Sequence, residues 1–204
     1  MGKSKVVVAA LTGGLALGVI SRLWMRWIST DPEFSWSGTI FIVIAFMIFT
    51  TNQSIVFLLR KKFTGKRSSL LVRTFGVIFS LPIFGAAGAI MFPTVALASV
   101  GTWNNTLGKR TRGVLLLLSL VMPIKISSDI ISDFGWRISS LGRILLFVAI
   151  YSVVTLVTRP TMTPFRDEFS QASKLSRGKR IFLFVAVLCI GLLFLLFTVG
   201  LSGN

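Results

Sequence analysis

Residues 70–103 read LLVRTFGVIFSLPIFGAAGAIMFPTVALASVGTW, and this stretch, called the hairpin segment below, decides the fold. It is apolar and rich in small residues, and it is interrupted at Pro82, at the run bounded by Gly85 and Gly88, and at Pro93. As one straight helix, its 34 residues would be about 51 Å long, whereas the hydrocarbon core of a bilayer is about 30 Å thick. We therefore predict a broken, bent segment rather than one straight helix.

The composition is that of a membrane protein. Apolar residues make up 53% of the 204-residue chain and charged residues 14%, against about 25% charged in soluble domains. The apolar residues form runs of membrane-spanning length, and a chain this short cannot hide several such runs from water. We predict an all-α integral membrane protein, one polytopic domain over residues 1–204, with six or seven hydrophobic helical elements that include the hairpin segment.

The charge is strongly basic, with 22 Lys and Arg against 6 Asp and Glu, and there is no His. The bases collect in three loops, at about 60–69, 104–113 and 158–180. Because cytoplasmic loops of membrane proteins collect Lys and Arg, we expect these loops to face the cytoplasm and contact anionic headgroups, not nucleic acid. Without His and with the single Cys189, we expect no metal site, no cofactor and no His-based catalysis.

The three basic loops predict how the chain crosses the bilayer. If the hairpin segment crosses once, the second and third basic loops lie on the side opposite to the first. If it turns back, all three lie inside, and the short acidic loops at 31–33 and 129–133 lie outside. We therefore predict a hairpin, with the N-terminus inside and the C-terminus outside. The alternative is a surface helix over 68–76 followed by one full span.

Five further spans are predicted, at about 6–28, 38–59, 113–127, 138–157 and 181–201. A polar run interrupts the second at 50–54, a kink is expected in the third at Pro123, and the residues from Pro160 to Pro164 are expected to be extended. In the first span, small residues four apart on one face favour close packing of a helix, either inside the molecule or from a second copy. These residues are Ala10, Gly14 and Gly18.

Few polar groups fall within the spans, and they make up the candidate substrate or ion pathway. Asn52 and Gln53 are the deepest uncharged polar pair, and they either line a route or bond to neighbouring helices. Lys125 and Asp129 recur at intervals of four with Asp133 and Arg137, which fits either an ion-linked switch or an exposed ladder of charges. The remaining candidates are Arg73, which pairs with a lipid phosphate or extends to the interface, and the turn residues Gly85 and Gly88.

A second candidate site lies at the outer interface, where aromatic and charged residues are close in sequence. They form either an ion-paired gate or anion site, or a belt that anchors the helices at the membrane surface. The members are Arg22, Trp24, Arg26, Trp27, Asp31, Glu33 and Trp36.

The runs Arg22-Leu-Trp-Met-Arg-Trp-Ile and Asp31-Pro-Glu-Phe-Ser-Trp-Ser-Gly-Thr39 resemble a segment of small bacterial multi-pass membrane proteins to which no activity is assigned. The resemblance implies a bacterial inner-membrane setting. From the residues, we expect a non-enzymatic accessory or binding protein that packs with itself or with a larger membrane complex. The alternative is a small transporter or channel in which the hairpin segment, Asn52 and Gln53 line the pathway.

Overall fold

The computed structural model describes residues 2–30, 34–63, 66–86 and 91–164, and within these ranges the ordered elements are all helices. The predicted all-α class is confirmed for this part of the chain. Five segments are long and apolar enough to cross a membrane: Lys3–Ile28, Trp36–Arg60, Arg67–Gly85, Lys109–Phe134 and Ile138–Val157. The predicted last span, 181–201, lies outside the described residues.

The first two helices, α1 (Lys3–Ile28) and α2 (Trp36–Lys62), pack against each other in antiparallel directions. A Cβ atom on Gly14 would lie 2.8 Å from Met47 Cα, and one on Gly18 would lie 2.9 Å from Val43 Cα. Thr50 Oγ1 donates a hydrogen bond of 2.8 Å to the carbonyl of Ala10. The small-residue face of α1 therefore packs inside the molecule, and the alternative of a second copy on that face is wrong.

The polar run at 50–54 does not interrupt α2, which continues unbroken through it to Lys62. Thr50 and Ser54 both bond to carbonyls of α2 itself, Thr50 to Phe46 and Ser54 to Thr51. The polar run thus interrupts the apolar sequence of α2 but does not interrupt the helix itself. The polar groups of α2 are accommodated by bonds along the helix and to other helices.

The hairpin segment begins with α3 (Lys66–Ile78) and α4 (Leu81–Ala86), which are separated by a break at Phe79 and Ser80. There, the amide of Ser80 bonds to the carbonyl of Val77, 3.0 Å away, and not to that of Gly76. Pro82 explains the break, because a proline ring clashes with the carbonyl four residues earlier and is tolerated only in the first turn of a helix. The break predicted at Pro82 is therefore displaced to the two residues before α4.

The third part of the segment is α5 (Met91–Trp103), in which Pro93 occupies the first turn. A proline at this position leaves the helix intact, because the amide it lacks has no partner within the helix. The interruption predicted at Pro93 is therefore wrong. Gly85 lies exposed near the end of α4, and the predicted turn residue Gly88 lies outside the described residues.

The chain reverses direction within the hairpin segment. Arg73 Nε donates to the carbonyl of Thr161 at 3.2 Å, and Trp103 Nε1 donates to the carbonyl of Thr155 at 2.9 Å. Both ends of the segment thus lie against residues 155–161, and Phe84 meets Phe92 edge to face at 4.9 Å between them. α3 continues past residue 76 without a break. Residues 68–76 therefore do not form the separate surface helix of the alternative prediction.

The next pair, α6 (Lys109–Ser119) and α7 (Val121–Phe134), is broken at Leu120, three residues before Pro123. The kink expected at Pro123 is therefore present. Because Pro123 has no amide proton to donate to the carbonyl of Ser119, that carbonyl needs another donor. The hydroxyl of Tyr151 lies 3.5 Å from it and 3.0 Å from the carbonyl of Thr94.

The last described helices are α8 (Ile138–Val157), whose bounds agree with the predicted span, and α9 (Arg159–Met162). α7 is followed by its C-cap residue Gly135, whose φ of +71° and ψ of 177° glycine adopts without strain. The predicted extended conformation between Pro160 and Pro164 is wrong at its start. Pro160 instead lies in the first turn of α9, where its missing amide proton is tolerated.

These contacts define two ends of the helix bundle. At the basic end, the start of α1 and the ends of α2, α5 and α8 lie together with the starts of α3 and α6. Its described bases are Lys3, Lys5, Arg60, Lys62, Arg67, Arg73, Lys109, Arg110, Arg112 and Arg159. At the opposite end, Trp24 of α1 donates to the carbonyl of Arg143 of α8 at 2.8 Å. The described acids, Asp129 and Asp133, lie on α7, which leads to that opposite end.

The contact between α1 and α2 predicts different effects for two adjacent glycines. Gly14→Ala should lower the free energy of unfolding by about 1–3 kcal/mol, because the new methyl group overlaps the α2 backbone. Gly13 has no atom within 4 Å of an added Cβ, so Gly13→Ala should raise stability by about 0.5–1 kcal/mol through helix propensity. Unfolding in detergent, followed by circular dichroism, measures both. Equal effects of the two substitutions would contradict the packing described.

Candidate functional site

Asn52 and Gln53 belong to a buried group that joins three helical regions near the basic end. We call this group the polar cluster, and it comprises Asn52 and Gln53 of α2, Ser80 at the break between α3 and α4, Thr161 of α9, and the carbonyl of Gly76. The four side chains are 2–8% exposed. A polar group this deeply buried destabilises the fold unless it is hydrogen-bonded.

The first part of the cluster consists of hydrogen bonds to a backbone carbonyl that the break at Ser80 leaves free. Since the amide of Ser80 turns to Val77, the carbonyl of Gly76 loses its usual donor four residues along the helix. Ser80 Oγ donates to this carbonyl at 2.6 Å, and Asn52 Nδ2 donates to it at 2.8 Å. The side chain of Asn52 thus compensates for a defect in another helix.

Gln53 forms the second part of the cluster. Its Nε2 donates to Ser80 Oγ at 2.9 Å, and its Oε1 accepts from Thr161 Oγ1 at 2.7 Å. Ser80 Oγ also accepts a 3.2 Å bond from Asn52 Nδ2, so its one proton and both lone pairs are used. The cluster therefore ties α2 to the break in the hairpin segment and to α9.

Two arginines hold the backbone next to the cluster. Arg60 donates through Nη1 to the carbonyls of Pro160 and Thr163, at 2.5 and 2.6 Å, and through Nη2 to that of Pro164 at 2.9 Å. Arg73, a predicted pathway residue, donates to the carbonyl of Thr161. Guanidinium groups carry five donors in a planar fork, which suits several carbonyls around the end of a helix. Together they fix α9 against α2 and α3.

The sequence indicated Asn52, Gln53 and Arg73, and the structure brings these three together. Ser80, Thr161 and Arg60 were not predicted from the sequence. A polar residue two positions before Pro82 was the available signal for Ser80, because a proline frees a carbonyl nearby. Thr161 is separated from Gln53 by 108 residues, and nothing in the spacing points to that pair.

A groove borders the polar cluster on the face formed by α1, α2 and α3, and we call it the α2 groove. Its volume is about 380 Å³, and two polar residues, Thr51 and Asn52, lie in its wall. Thr51 Oγ1 and Asn52 Oδ1 are buried and lack a hydrogen-bond partner among the described residues. The apolar lining residues are Leu11, Ile44, Met47, Ile48, Ile55, Phe75 and Phe79.

The predicted pathway residues Lys125 and Asp129 lie elsewhere, on α7, which packs against α5, α6 and α8. Lys125 is half-buried, whereas Asp129 and Asp133 are exposed. α7 ends at Phe134, and Arg137 caps α8. The charged residues predicted at intervals of four therefore share one helix only as far as Asp133. Arg137 is not part of that helix, because the chain turns at Gly135.

The predicted outer-interface residues do not form one site in the described part of the chain. Trp24 belongs to the core, where its ring stacks on Phe147 at 5.1 Å, and Arg22 Nε donates to Thr39 Oγ1 at 3.1 Å. The Arg26 guanidinium lies 5.1 Å from the Phe34 ring. Trp36 is 71% exposed. Asp31 and Glu33 lie outside the described residues.

Arg143 is a further residue of this end that the sequence analysis missed. Its guanidinium lies 3.7 Å from the centroid of the Phe134 ring and 5.6 Å from that of Trp27. The Trp27 ring also packs closely against the backbone of α8, since a Cβ on Gly142 would lie 3.1 Å from that ring. Cation–π contact therefore positions Arg143 between the ends of α1 and α7.

No protein-family model, curated protein or solved structure matches the chain. Within the described ranges, there is no group of three or more His, Cys, Asp or Glu side chains placed to bind a metal ion. The interpretation of the site therefore depends on its hydrogen bonds, its burial and its shape.

The polar cluster predicts a position-specific effect of removing one hydroxyl. Thr161→Val should lower the free energy of unfolding by about 1–3 kcal/mol, because it leaves the buried Oε1 of Gln53 without its donor. Thr163 is the matched control, since its hydroxyl bonds only to the carbonyl of Arg159 in an exposed setting. Thr163→Val should change stability by less than about 0.5 kcal/mol. Similar values for both variants in a chemical unfolding series would argue against the cluster.

Proposed function

We propose that the chain is a non-enzymatic accessory or binding protein of the bacterial cytoplasmic membrane, and that it packs with a second copy or a larger membrane complex. It lies in the bilayer with the basic end on the cytoplasmic side, in contact with anionic headgroups. In this proposal, the α2 groove receives a membrane helix of the partner, and that helix presents a hydrogen-bonding side chain.

The membrane setting is supported by the five long apolar helices and by the distribution of charge. Ten of the fifteen Lys and Arg residues whose side chains are described gather at the basic end, and the described acids lie towards the other. Positive charge collects on the cytoplasmic side of membrane proteins, and the Lys and Arg side chains there attract anionic lipids. The N-terminus is then on the cytoplasmic side, and the hairpin segment begins and ends on that same side.

The observation that carries the proposed binding function is the unpartnered hydroxyl of Thr51 in the wall of an apolar groove. Exposed apolar side chains need no partner in a bilayer, because lipid tails are equally apolar. A hydroxyl there does need one, since lipid tails offer no hydrogen bond. Thr51 is half-buried and its hydroxyl is itself covered, so the proposal requires a different side-chain rotamer of Thr51 in the complex, one that turns the hydroxyl into the groove.

The polar cluster favours this proposal over transport. Asn52 and Gln53 direct their amide groups to Gly76, Ser80 and Thr161, and these bonds hold helices together rather than contact a passing solute. In the transport alternative, the two side chains line the pathway beside the broken hairpin. Reconstituted vesicles that release no ion across a broad panel would support the accessory role, and a flux abolished by Gln53→Leu would overturn it.

Thr51→Val tests the groove, because it removes the hydroxyl while keeping the shape of the side chain. The loss of one hydrogen bond between membrane helices is worth about 0.6–1.7 kcal/mol, so we expect association to weaken roughly 3- to 20-fold. Mild extraction from native membranes and blue native electrophoresis should show the wild-type complex shifting toward the 22.4 kDa monomer. Differently tagged copies distinguish self-association from a larger complex.

Thr12→Val is the matched control for this experiment. Thr12 is exposed on α1 and donates to the carbonyl of Val8 within its own helix, so its loss should leave the complex unchanged. A wild-type protein that migrates as a monomer under these conditions, or a Thr51→Val variant that retains the full complex, would refute the proposed association.

The proposed orientation predicts which engineered thiols react in intact cells. With Cys189→Ser as background, we expect Trp136→Cys, at an 81% exposed position of the opposite end, to react with a membrane-impermeant maleimide. Gly108→Cys, at the exposed start of α6, should react only after the membrane is permeabilised. Ready labelling of Gly108→Cys from outside would invert the orientation.

A further inference from the structure

A cavity of about 330 Å³ lies between α1, α4, α5 and α8, with one further lining residue each from α2 and α7. It is separate from the α2 groove and shares no lining residue with it. The four lining residues of α1 extend from Ser21 to Ile28, which corresponds to roughly 10 Å along the helix axis at 1.5 Å per residue. The cavity therefore extends at least that far along α1.

The described walls of this cavity are apolar and uncharged. Trp24, Phe84 and Phe147 present aromatic rings, and Met25 and Met91 add flexible side chains that adapt to irregular shapes. The lining contains two polar side chains, Ser21 and Tyr151, and no Lys, Arg, Asp or Glu among the described residues. Ser21 is 1% exposed and its Oγ lacks a hydrogen-bond partner among the described residues, whereas Tyr151 directs its hydroxyl to the carbonyl of Thr94. One free hydroxyl is fewer than the polar partners that an ordered water needs. A charged group would lose its hydration here without compensation.

Neither water nor an empty space suits such a cavity. Water needs two to four polar partners, and apolar cavities stay dry. Protein interiors are otherwise packed as densely as organic crystals, so the side chains around an empty cavity lose dispersion contacts on one side. An apolar occupant restores these contacts. The volume is about twice that of the ~150 Å³ cavity that binds benzene, which corresponds to about a dozen carbon atoms.

We propose that this cavity is a binding site for an uncharged hydrocarbon chain of about a dozen carbons. An acyl or isoprenoid chain meets the requirements of size, shape and chemistry. Its source is either a membrane lipid, whose headgroup stays outside the cavity, or a free lipophilic molecule. The site is independent of the association proposed at the α2 groove, because the two involve different walls.

1-Bromodecane is a suitable probe, because bromine quenches tryptophan fluorescence on contact and Trp24 lines the cavity. The protein is purified in a steroid-based detergent, whose rigid rings do not imitate an alkyl chain. We expect a saturable component of quenching on top of linear partitioning into micelles. Trp24→Phe should lose the saturable component, and Trp136→Phe, which alters an 81% exposed side chain, should keep it.

The same substitution at two positions tests the cavity itself. Val95→Phe fills it from α5, where Val95 is 3% exposed, and should weaken saturable binding at least tenfold. Val148 lies on the exposed face of α8, where its side chain is 45% exposed. Val148→Phe should therefore change saturable binding less than twofold. Should Val95→Phe fail to fold by circular dichroism, Ile126→Trp fills the cavity from α7 instead.

Nanodiscs whose phospholipids carry dibrominated acyl chains distinguish the two sources. Quenching of Trp24 that Val95→Phe removes identifies a lipid tail as the occupant. Saturable binding of 1-bromodecane without this lipid effect identifies a free lipophile, and it supports the proposal equally. Two results would overturn the proposal. One is purely linear quenching in detergent combined with no effect of Val95→Phe in nanodiscs. The other is unchanged binding by a folded cavity-filling variant.

Discussion

One freed backbone carbonyl determines how the described helices assemble. Pro82 breaks the helix at Ser80, and the carbonyl of Gly76 is left without its usual donor in an apolar interior. Asn52 and Ser80 supply donors, and Gln53 extends the bonding to Thr161 of α9. Because each of these groups would destabilise the fold if left unpaired, α2, the broken helix and α9 are held in one arrangement. The bend of the hairpin segment is thus coupled to the position of the distant α9.

Close backbone contact complements this polar constraint on the other face of α2. Gly14 and Gly18 allow α1 to approach within van der Waals distance of the α2 backbone, and Thr50 adds a bond to Ala10. α2 therefore has three distinct surfaces, one against α1, one in the polar cluster and one in the α2 groove. The third is where the hydroxyl of Thr51 lacks a partner among the described residues, so it lies apart from the hydrogen bonds that join α2 to the other helices.

The features set by local chemistry could be predicted from the sequence, whereas those set by tertiary contact could not. Apolar runs gave the bounds of α8, and the placement of Lys and Arg predicted the reversal within the hairpin segment. The break appeared at Ser80 and not at Pro82, because a proline disturbs the turn before it. Asn52 and Gln53 were found by their depth, but Thr161 could not be, since hydrogen bonding across 108 residues leaves no trace in local spacing.

The separation between Gln53 and Thr161 also affects how the protein matures on the ribosome. Gln53 is translated 108 residues before the hydroxyl that it accepts from, an interval of about 5–20 s at synthesis rates of roughly 5–20 residues per second. During that interval the glutamine must remain hydrated or bond to a temporary partner. Gln53 therefore gains this partner only after α9 has been made, later than its partner Ser80 in the same polar cluster.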